Sequence, residues 1–295
     1  MKAKTSDKIW TIVFYIVSFL ISFLLVAMFA YILLKGKNAF NPKFLFGTPK
    51  FGASGGGIGL QLFNSFYMLI ISLVLTVPLG VGAGIYLAEY AKEGMFLNII
   101  RLCIETMASL PSIVVGLFGF LVLVNMTKWG FTLFSGALVI TILNLPSLTR
   151  VTEDAIRSSS KLVKEASLGL GATRWQTIKR VILPSAFPQI LTGVILASGR
   201  IFGESAALLY TAGMSAPPLN FSSAALFTKS SPFNIFRPAE TLSVYIWKLN
   251  TEGIVPDAAQ IAAGAAAVLI VMVIIFNVLS RIIGNKVYKK FSGES

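Results

Sequence analysis

Long apolar stretches recur along this sequence, and they constrain its fold more than any other feature. A helix needs roughly 20 predominantly apolar residues to cross a bilayer core about 30 Å thick. Six stretches reach that length, the third interrupted by Pro111: residues 9–34, 64–90, 97–125, 131–149, 186–211 and 258–283. The chain is 55% hydrophobic and only 13% charged, which is unlike a soluble domain. The sequence therefore predicts an all-α polytopic membrane protein, with residues 1–295 forming a single transmembrane domain.

Basic residues are distributed unevenly between the two sides of the predicted membrane. Six spans put both termini on one side, which would carry sixteen Lys and Arg residues against eight on the other, with Arg200 inside a span. The positive-inside rule then places both termini in the cytoplasm, on the inner side of a plasma membrane. The net charge of +13 is concentrated at the span ends, facing anionic lipid headgroups. We therefore expect contact with lipid and no binding of nucleic acid.

The sequence offers little for catalysis or for a resident cofactor. It contains no His and a single Cys, so a zinc or haem site of the usual kind has few ligands available. The pattern G-x-x-x-x-G-K-[ST], which cradles nucleotide phosphates, does not occur. We expect that this chain is not an enzyme and binds no cofactor.

The longest external segment predicts one short helix. Residues 239–249 combine apolar and aromatic side chains, and an interfacial helix there would place Tyr245 and Trp247 at the depth of the headgroups.

Residues 150–185 form a basic loop that cannot span a membrane, with seven basic and three acidic residues. Ser158, Ser159 and Ser160 are suited to capping a short helix over residues 161–168. Gly169 and Gly171 would end that helix.

A second short helix is predicted to start at Thr173, because Gln176 follows at the spacing of a capping box. Trp175, Ile178 and Ile182 then form one apolar stripe. Such a stripe fits the groove of a partner protein. It would equally suit a helix lying flat on the membrane, and the residues alone leave both interpretations open.

A second candidate site lies in the fifth predicted span. Arg200 falls near the middle of that span, where a charge is costly and rarely faces lipid. Glu204 follows four residues later, so on a continuous helix the two side chains share a face. They could neutralise each other between helices, or form a charged gate on the path of an anion, for which a guanidinium is well suited. Arg101 and Glu105 have the same spacing nearer a span end, where anchoring at the interface explains them.

The basic loop resembles the EAA loop of ABC importer permeases. That family pattern is Glu-Ala-Ala, three residues, Gly, nine residues and then Ile-x-Leu-Pro. Here the matching positions are Glu165, Ala166, Ser167, Gly171, Val181, Leu183 and Pro184, with Ser167 and Val181 as mild departures. The resemblance implies a type I, MetI-like permease in which Glu165, Ala166, Gly171, Leu183 and Pro184 belong to the segment that couples to an ATPase subunit.

A wider resemblance, over essentially the whole chain, is to the PstA permeases of bacterial phosphate importers. It is carried by residues 84–90, 111–118, 200–206, the glycines at 55–57 and residues 277–281. The family usually continues Gly-Glu with Thr-Ala-Pro, whereas Ser205-Ala206-Ala207 stands here. The resemblance implies import of inorganic phosphate, with Arg200 and Glu204 on the translocation pathway.

The same resemblance implies the partners. They are a PstC-type permease, two PstB-type ATPases that bind the ATP and Mg²⁺, and a PstS-type phosphate-binding protein. Alternatives are a PstC-type role for this chain, a permease for another oxyanion such as sulfate or molybdate, and a secondary transporter that uses Arg200 and Glu204 as a charge relay.

Overall fold

The computed structural model is mostly helical and describes residues 2–50, 53–158, 161–215, 217–219, 231–253 and 255–292. No β-strand occurs among these residues. The helices are α1 (Lys2–Lys35), α2 (Pro42–Phe46), α3 (Gly59–Ile85), α4 (Met95–Ala108), α5 (Ser112–Gly119), α6 (Leu133–Ser158), α7 (Lys161–Gly169), α8 (Arg174–Thr177), α9 (Leu183–Gly203), α10 (Ala206–Thr211), α11 (Leu242–Glu252) and α12 (Ala258–Ser292). Three of these helices continue as π-helical turns, α3 over Tyr86–Tyr90, α5 over Phe120–Met126 and α8 over Ile178–Ile182.

Five helices within the described residues are long and apolar enough to cross a membrane, and a bent pair brings the number to as many as six. The bent pair is α4 with α5 and its π turn, which meet at 96°. The predicted third span, 97–125, is therefore not one straight helix. Pro111 causes the break, because proline disfavours helical backbone in the residue before it and begins the next helix readily.

Several of the observed helices extend beyond the apolar stretches that predicted them. Helix α6 extends to Ser158, and α8 and α9 join into one helix from Arg174 to Gly203. The predicted basic loop 150–185 is thus largely helical at both ends. Hydropathy marks the apolar part of a helix and not its ends, since polar residues continue a helix when ion pairs such as Arg157–Glu153 support it.

Helices α3, α6 and α9 form the centre of the protein. Gly80 and Gly84 of α3 bring its backbone close to α6: a Cβ at Gly84 would lie 2.5 Å from the Cβ of Thr152. Nearer the start of α3, Met68 packs with Ile140 and Phe202 in the largest buried cluster.

Substitution of Gly84 by alanine is expected to loosen this seam. The added methyl group overlaps Thr152, and such overpacking costs about 1–3 kcal/mol. Gly82 lies on the opposite face with nothing within 4 Å of its Cβ position, so Gly82→Ala is a matched control. We expect a lower midpoint of thermal unfolding in detergent for Gly84→Ala only; equal midpoints for both variants would contradict the close α3–α6 contact.

Helix α1 stands at the edge of the fold. The most apolar part of its span is 0% buried within the protein, and its neighbours are α12 and the short 3₁₀ turn Lys37–Ala39. The side chains of this helix are apolar on all sides, as expected for a lipid-exposed span.

Residues 231–252 pack onto the long helices. The predicted helix over residues 239–249 is observed as α11, Leu242–Glu252. Trp247 is exposed, but Tyr245 is only 4% exposed and packs in a cluster with Ile58 and Ile261. Helix α11 thus packs on α12 and does not stand alone, and Tyr245 is covered by protein and not by lipid.

Candidate functional sites

The first site is the segment from α7 to the start of α8. Helix α7 ends at Gly169, and Gly171 follows with φ of +85°. The amide of Gly171 donates to the carbonyl of Leu168 at 3.0 Å, and that of Ala172 donates to the carbonyl of Ser167 at 3.2 Å. This pair of bonds is a Schellman motif, which requires a residue with positive φ at Gly171. The prediction that these glycines end α7 is confirmed.

The start of α7 agrees less well with the sequence. Ser158 is the last residue of α6, and its Oγ donates to the carbonyl of Ala155 at 3.0 Å. Ser158 thus belongs to α6, and its hydroxyl bonds to a carbonyl of that helix. Ser159 and Ser160 lie outside the described residues.

The capping box at the start of α8 is confirmed. The amide of Gln176 donates to Oγ1 of Thr173 at 3.3 Å, and Oε1 of Gln176 accepts from the amide of Thr173 at 2.9 Å. Leu183 and Pro184 lie just after the π turn, inside one continuous helix. The wider turn suits this position, because Pro184 has no amide hydrogen to donate.

The predicted apolar stripe does not form an exposed surface. Ile178 and Ile182 are 1% and 4% exposed and pack against Ala155 and Ile156 of α6, so only Trp175 remains open. Both earlier interpretations of the stripe are wrong for the two isoleucines. The segment instead exposes another apolar set, which we call the loop patch: Val163, Leu168, Leu170 and Trp175. Leu170 is 90% exposed, and Glu165 and Ala166 are exposed beside it.

Ion pairs surround the base of this segment. Nζ of Lys164 in α7 lies 2.6 Å from Oε2 of Glu89 at the end of α3. The buried carboxylate of Glu153 binds both Arg101 and Arg157. Glu105 binds Arg150 and not Arg101, so the predicted interfacial roles of Arg101 and Glu105 give way to pairing with α6. Sequence spacing within α4 could not show this, because the partners come from another helix.

The second site is a break in the predicted fifth span. Helix α9 ends at Gly203, residues 204 and 205 are non-helical, and α10 begins at Ala206. Arg200 lies in the last turn of α9 and Glu204 just before α10, so the two do not share a helical face or lie mid-helix as predicted. A cation at a helix C-terminus and an anion at an N-terminus are both favoured by the helix dipoles, which stabilises the break.

Glu204 makes two hydrogen bonds that stabilise this break. Its Oε1 accepts from the amide of Ala207 at 3.2 Å, and its carbonyl accepts from Oγ of Ser243 at 2.7 Å. Within the described part of the chain, neither Arg200 nor Glu204 belongs to an ion pair. The interpretation that the two charges neutralise each other is therefore wrong.

Arg200 lines a cavity of about 260 Å³ between α6 and α9. Asn144 and Ser147 of α6 line the same cavity, and the remaining lining residues are small or apolar. A guanidinium, a hydroxyl and an amide can all hydrogen-bond an oxyanion. Sequence reasoning missed Asn144 and Ser147; the signal was the polar Asn-x-Pro-Ser run inside an otherwise apolar span.

A third polar cluster joins α3 to residues 231–241 and was also missed. Arg237 is 2% exposed and donates to Oδ1 of Asn64 at 2.9 Å, while Glu240 accepts from Gln61 at 2.8 Å and from Lys248 at 3.1 Å. Burial lowers the pKa of Arg237 to about 10, an effect opposed by Tyr67. Burial likewise raises the pKa of Glu240, while the bonds from Gln61 and Lys248 oppose the shift.

The whole fold is that of a type I ABC importer permease of the MetI-like kind. A permease chain of a bacterial alginate ABC transporter, solved with an alginate pentasaccharide-bound periplasmic protein, superposes with a TM-score of 0.67 over 97% of this chain and 98% of that chain at 18% identity. A chain of the MetNI methionine ABC transporter gives 0.55 over 79% of this chain and 97% of that chain at 15% identity.

The protein belongs to the family of binding-protein-dependent transport system inner membrane components, whose model matches residues 80–292. It is thus a multi-pass membrane permease, and such permeases are non-catalytic because the ATPase is a separate subunit.

Two relatives show how far the likeness extends. The probable ABC transporter permease protein YqgI of Bacillus subtilis is 52% identical over 292 residues, covering 99% of both chains. The phosphate transport system permease protein PstA of Yersinia pestis is 32% identical over 241 residues, covering 81% of this chain and 76% of that protein.

Proposed function

We propose that this chain forms half of the membrane pathway of an ATP-driven importer for inorganic phosphate. The observation that carries the proposal is Arg200, which lines a largely apolar cavity together with Asn144 and Ser147 and has no ion-pair partner among the described residues. A guanidinium presents a planar fork of donors that matches a tetrahedral oxyanion. The likeness to PstA over most of the chain supports phosphate as that anion.

In this proposal the two charged residues at the helix break, Arg200 and Glu204, have different roles. Arg200 and the hydroxyl of Ser147 bind the anion transiently in the cavity between α6 and α9. Glu204 fixes the start of α10, so that the end of α9 remains close to the pathway. An arginine that is not held by a carboxylate can bind the anion without first breaking a bond to another protein group.

The loop patch is proposed as the docking surface for the ATPase. Its members are apolar and open, while Arg174, Lys179 and Arg180 lie exposed around them. An apolar centre within a charged rim is the usual anatomy of a protein interface. Glu165, Ala166 and Gly171 shape this surface, and Leu183 and Pro184 connect it to α9. The ATPase would bind ATP and Mg²⁺, and this chain would bind no cofactor.

The proposed assembly contains a PstC-type permease, two PstB-type ATPases and a PstS-type binding protein. The loop patch then faces the cytoplasm, as do both termini. A permease for sulfate or molybdate is the second candidate, because its anion would use the same guanidinium. Membership of an ABC permease family argues against the secondary transporter considered from sequence.

Uptake by the reconstituted complex tests the substrate. The four kinds of subunit, co-expressed and placed in proteoliposomes with ATP inside and no ion gradient, should accumulate labelled phosphate. An excess of unlabelled phosphate should suppress this uptake, while the same excess of sulfate or molybdate should leave it unchanged. If the same proteoliposomes accumulate labelled sulfate or molybdate with ATP but no labelled phosphate, phosphate is not the substrate.

A further inference from the structure

Helix α3 with its π turn spans the protein and has polar contacts at both ends. It runs for 32 residues, from Gly59 to Tyr90, which corresponds to about 48 Å at 1.5 Å per residue. Its middle is predominantly apolar and packs along α6 and α9.

The Tyr90 end is joined to α7 by an ion pair. Glu89 lies in the π turn, and its side chain is 7% exposed. Its Oε2 accepts from Nζ of Lys164 at 2.6 Å. Ser167, one turn further along α7, shares a hydrogen bond of 2.9 Å with Thr177, which remains within the loop segment. Lys164 therefore provides a polar contact from α7 to a membrane-spanning helix.

The Gly59 end is joined to residues 231–241 and to the start of α11 by several hydrogen bonds. Gln61 donates to Oε2 of Glu240 at 2.8 Å, and Nδ2 of Asn64 donates to the carbonyl of Glu240 at 3.0 Å. Oγ of Ser65 accepts from the amide of Leu242 at 2.8 Å. The acceptors and donors are buried, so these bonds do not exchange readily with water.

Between these ends, α3 lies tightly on α6. A Cβ at Gly80 would lie 2.9 Å from Leu148, and Oγ1 of Thr76 donates to Oγ1 of Thr141 at 3.2 Å. Closely packed helices transmit a displacement because the contact leaves no room for independent bending. Pro78 inside α3 removes one backbone hydrogen bond, but Thr76 and Gly80 on either side of it hold the helix against α6. The two polar ends are thus connected by one helix that α6 supports at its proline.

We propose that the Lys164–Glu89 ion pair couples α7 to α3, and that α3 carries the displacement of α7 to residues 231–241 on the far side of the protein. The inference rests on the proposed function, because it takes α7 as part of the ATPase docking segment. Lys164 and Glu89 are positioning residues in this scheme and need not touch the transported anion.

The test compares single neutralising variants with a charge exchange. Glu89→Gln and Lys164→Gln remove one charge each, and the double variant Glu89→Lys with Lys164→Glu restores the pair in reverse. Glu105→Gln is the matched control, since Glu105 pairs with Arg150 of α6 and not with α7. All variants are assembled with the partner subunits, and the amount of co-purified ATPase is measured first.

Two readouts follow on the assembled complexes. We expect phosphate transported per ATP hydrolysed to fall at least fivefold in both single variants, to recover to within twofold in the charge exchange, and to stay unchanged in Glu105→Gln. Hydrogen exchange of peptides covering residues 231–249 should respond to ATP in the wild type and in the charge exchange. That response should be lost in the single variants.

The outcomes separate this inference from the proposed function. Single variants that keep the wild-type transport ratio and the ATP-dependent exchange would overturn the role of the ion pair. A wild-type complex that takes up no phosphate would overturn the proposed substrate, yet the exchange measurement would still test the link from α7 to residues 231–241. A charge exchange that behaves like the single variants would also contradict the ion pair as the coupling contact.

Discussion

Phosphate uptake is expected to fall by at least a hundredfold when Arg200 is replaced by alanine. Charge-assisted hydrogen bonds contribute about 1.5–3 kcal/mol each, and a guanidinium can make two to one anion. Loss of about 3 kcal/mol corresponds to roughly a hundredfold decrease in apparent affinity or rate. Arg200 is half-buried and lies at a helix end, so its removal should leave the complex assembled.

A lysine at the same position refines this prediction. Arg200→Lys keeps the positive charge but presents it as a point, without the planar fork. If the cavity binds an oxyanion through bidentate contact, Arg200→Lys should retain only a small part of the uptake. If charge alone matters, Arg200→Lys should retain most of the wild-type uptake. Normal uptake by Arg200→Ala in a fully assembled complex would remove Arg200 from the pathway.

Disruption of the turn at Gly171 is expected to release the ATPase. Gly171 is exposed and has free space around its Cβ position, so a side chain there meets no steric obstacle. The cost comes instead from its φ of +85°, which L-residues adopt at about 1–2 kcal/mol and β-branched residues rarely tolerate. Gly171→Val should therefore shift the chain between α7 and α8 and change the direction of Leu170.

Matched variants separate the turn from the surface. Asparagine tolerates positive φ, so Gly171→Asn should bind nearly normally, and Gly169→Ala in helical backbone should do the same. Leu170→Asp alters only the loop patch, because Leu170 is 90% exposed in the isolated chain. We expect Gly171→Val and Leu170→Asp to co-purify with at most a tenth of the normal ATPase. A full complement of ATPase on Leu170→Asp would show that the loop patch is not the docking surface.

Local signals in the sequence predicted local structure well. Thr173 and Gln176 form the capping box their spacing indicates, and Gly171 ends α7 in the conformation that glycine favours. Both features depend on residues within a few positions of each other. The six apolar stretches likewise predicted the all-helical class, because each reflects the thickness of one bilayer.

Contacts between distant helices could not be predicted in the same way. The break at Glu204 carries no proline, and Gly203 before it is only a weak local signal. The bond from Ser243 to the carbonyl of Glu204 comes from 39 residues further along the chain. Arg101 binds Glu153 rather than Glu105 because α4 packs against α6. The burial of Ile178 and Ile182 has the same origin, since a 3.6-residue period identifies a face but not what covers it.

Helix α1 carries a consequence for how such subunits choose their neighbours. Because it is apolar on every side and the most apolar part of its length is uncovered by the rest of the fold, it offers a neighbour no distinctive face. Exchanging one aliphatic residue for another along it should be almost silent, provided length and hydropathy are kept. The specificity of subunit pairing is then expected to come from the other helices. Helix α1 would tolerate sequence changes and still anchor the chain in the membrane.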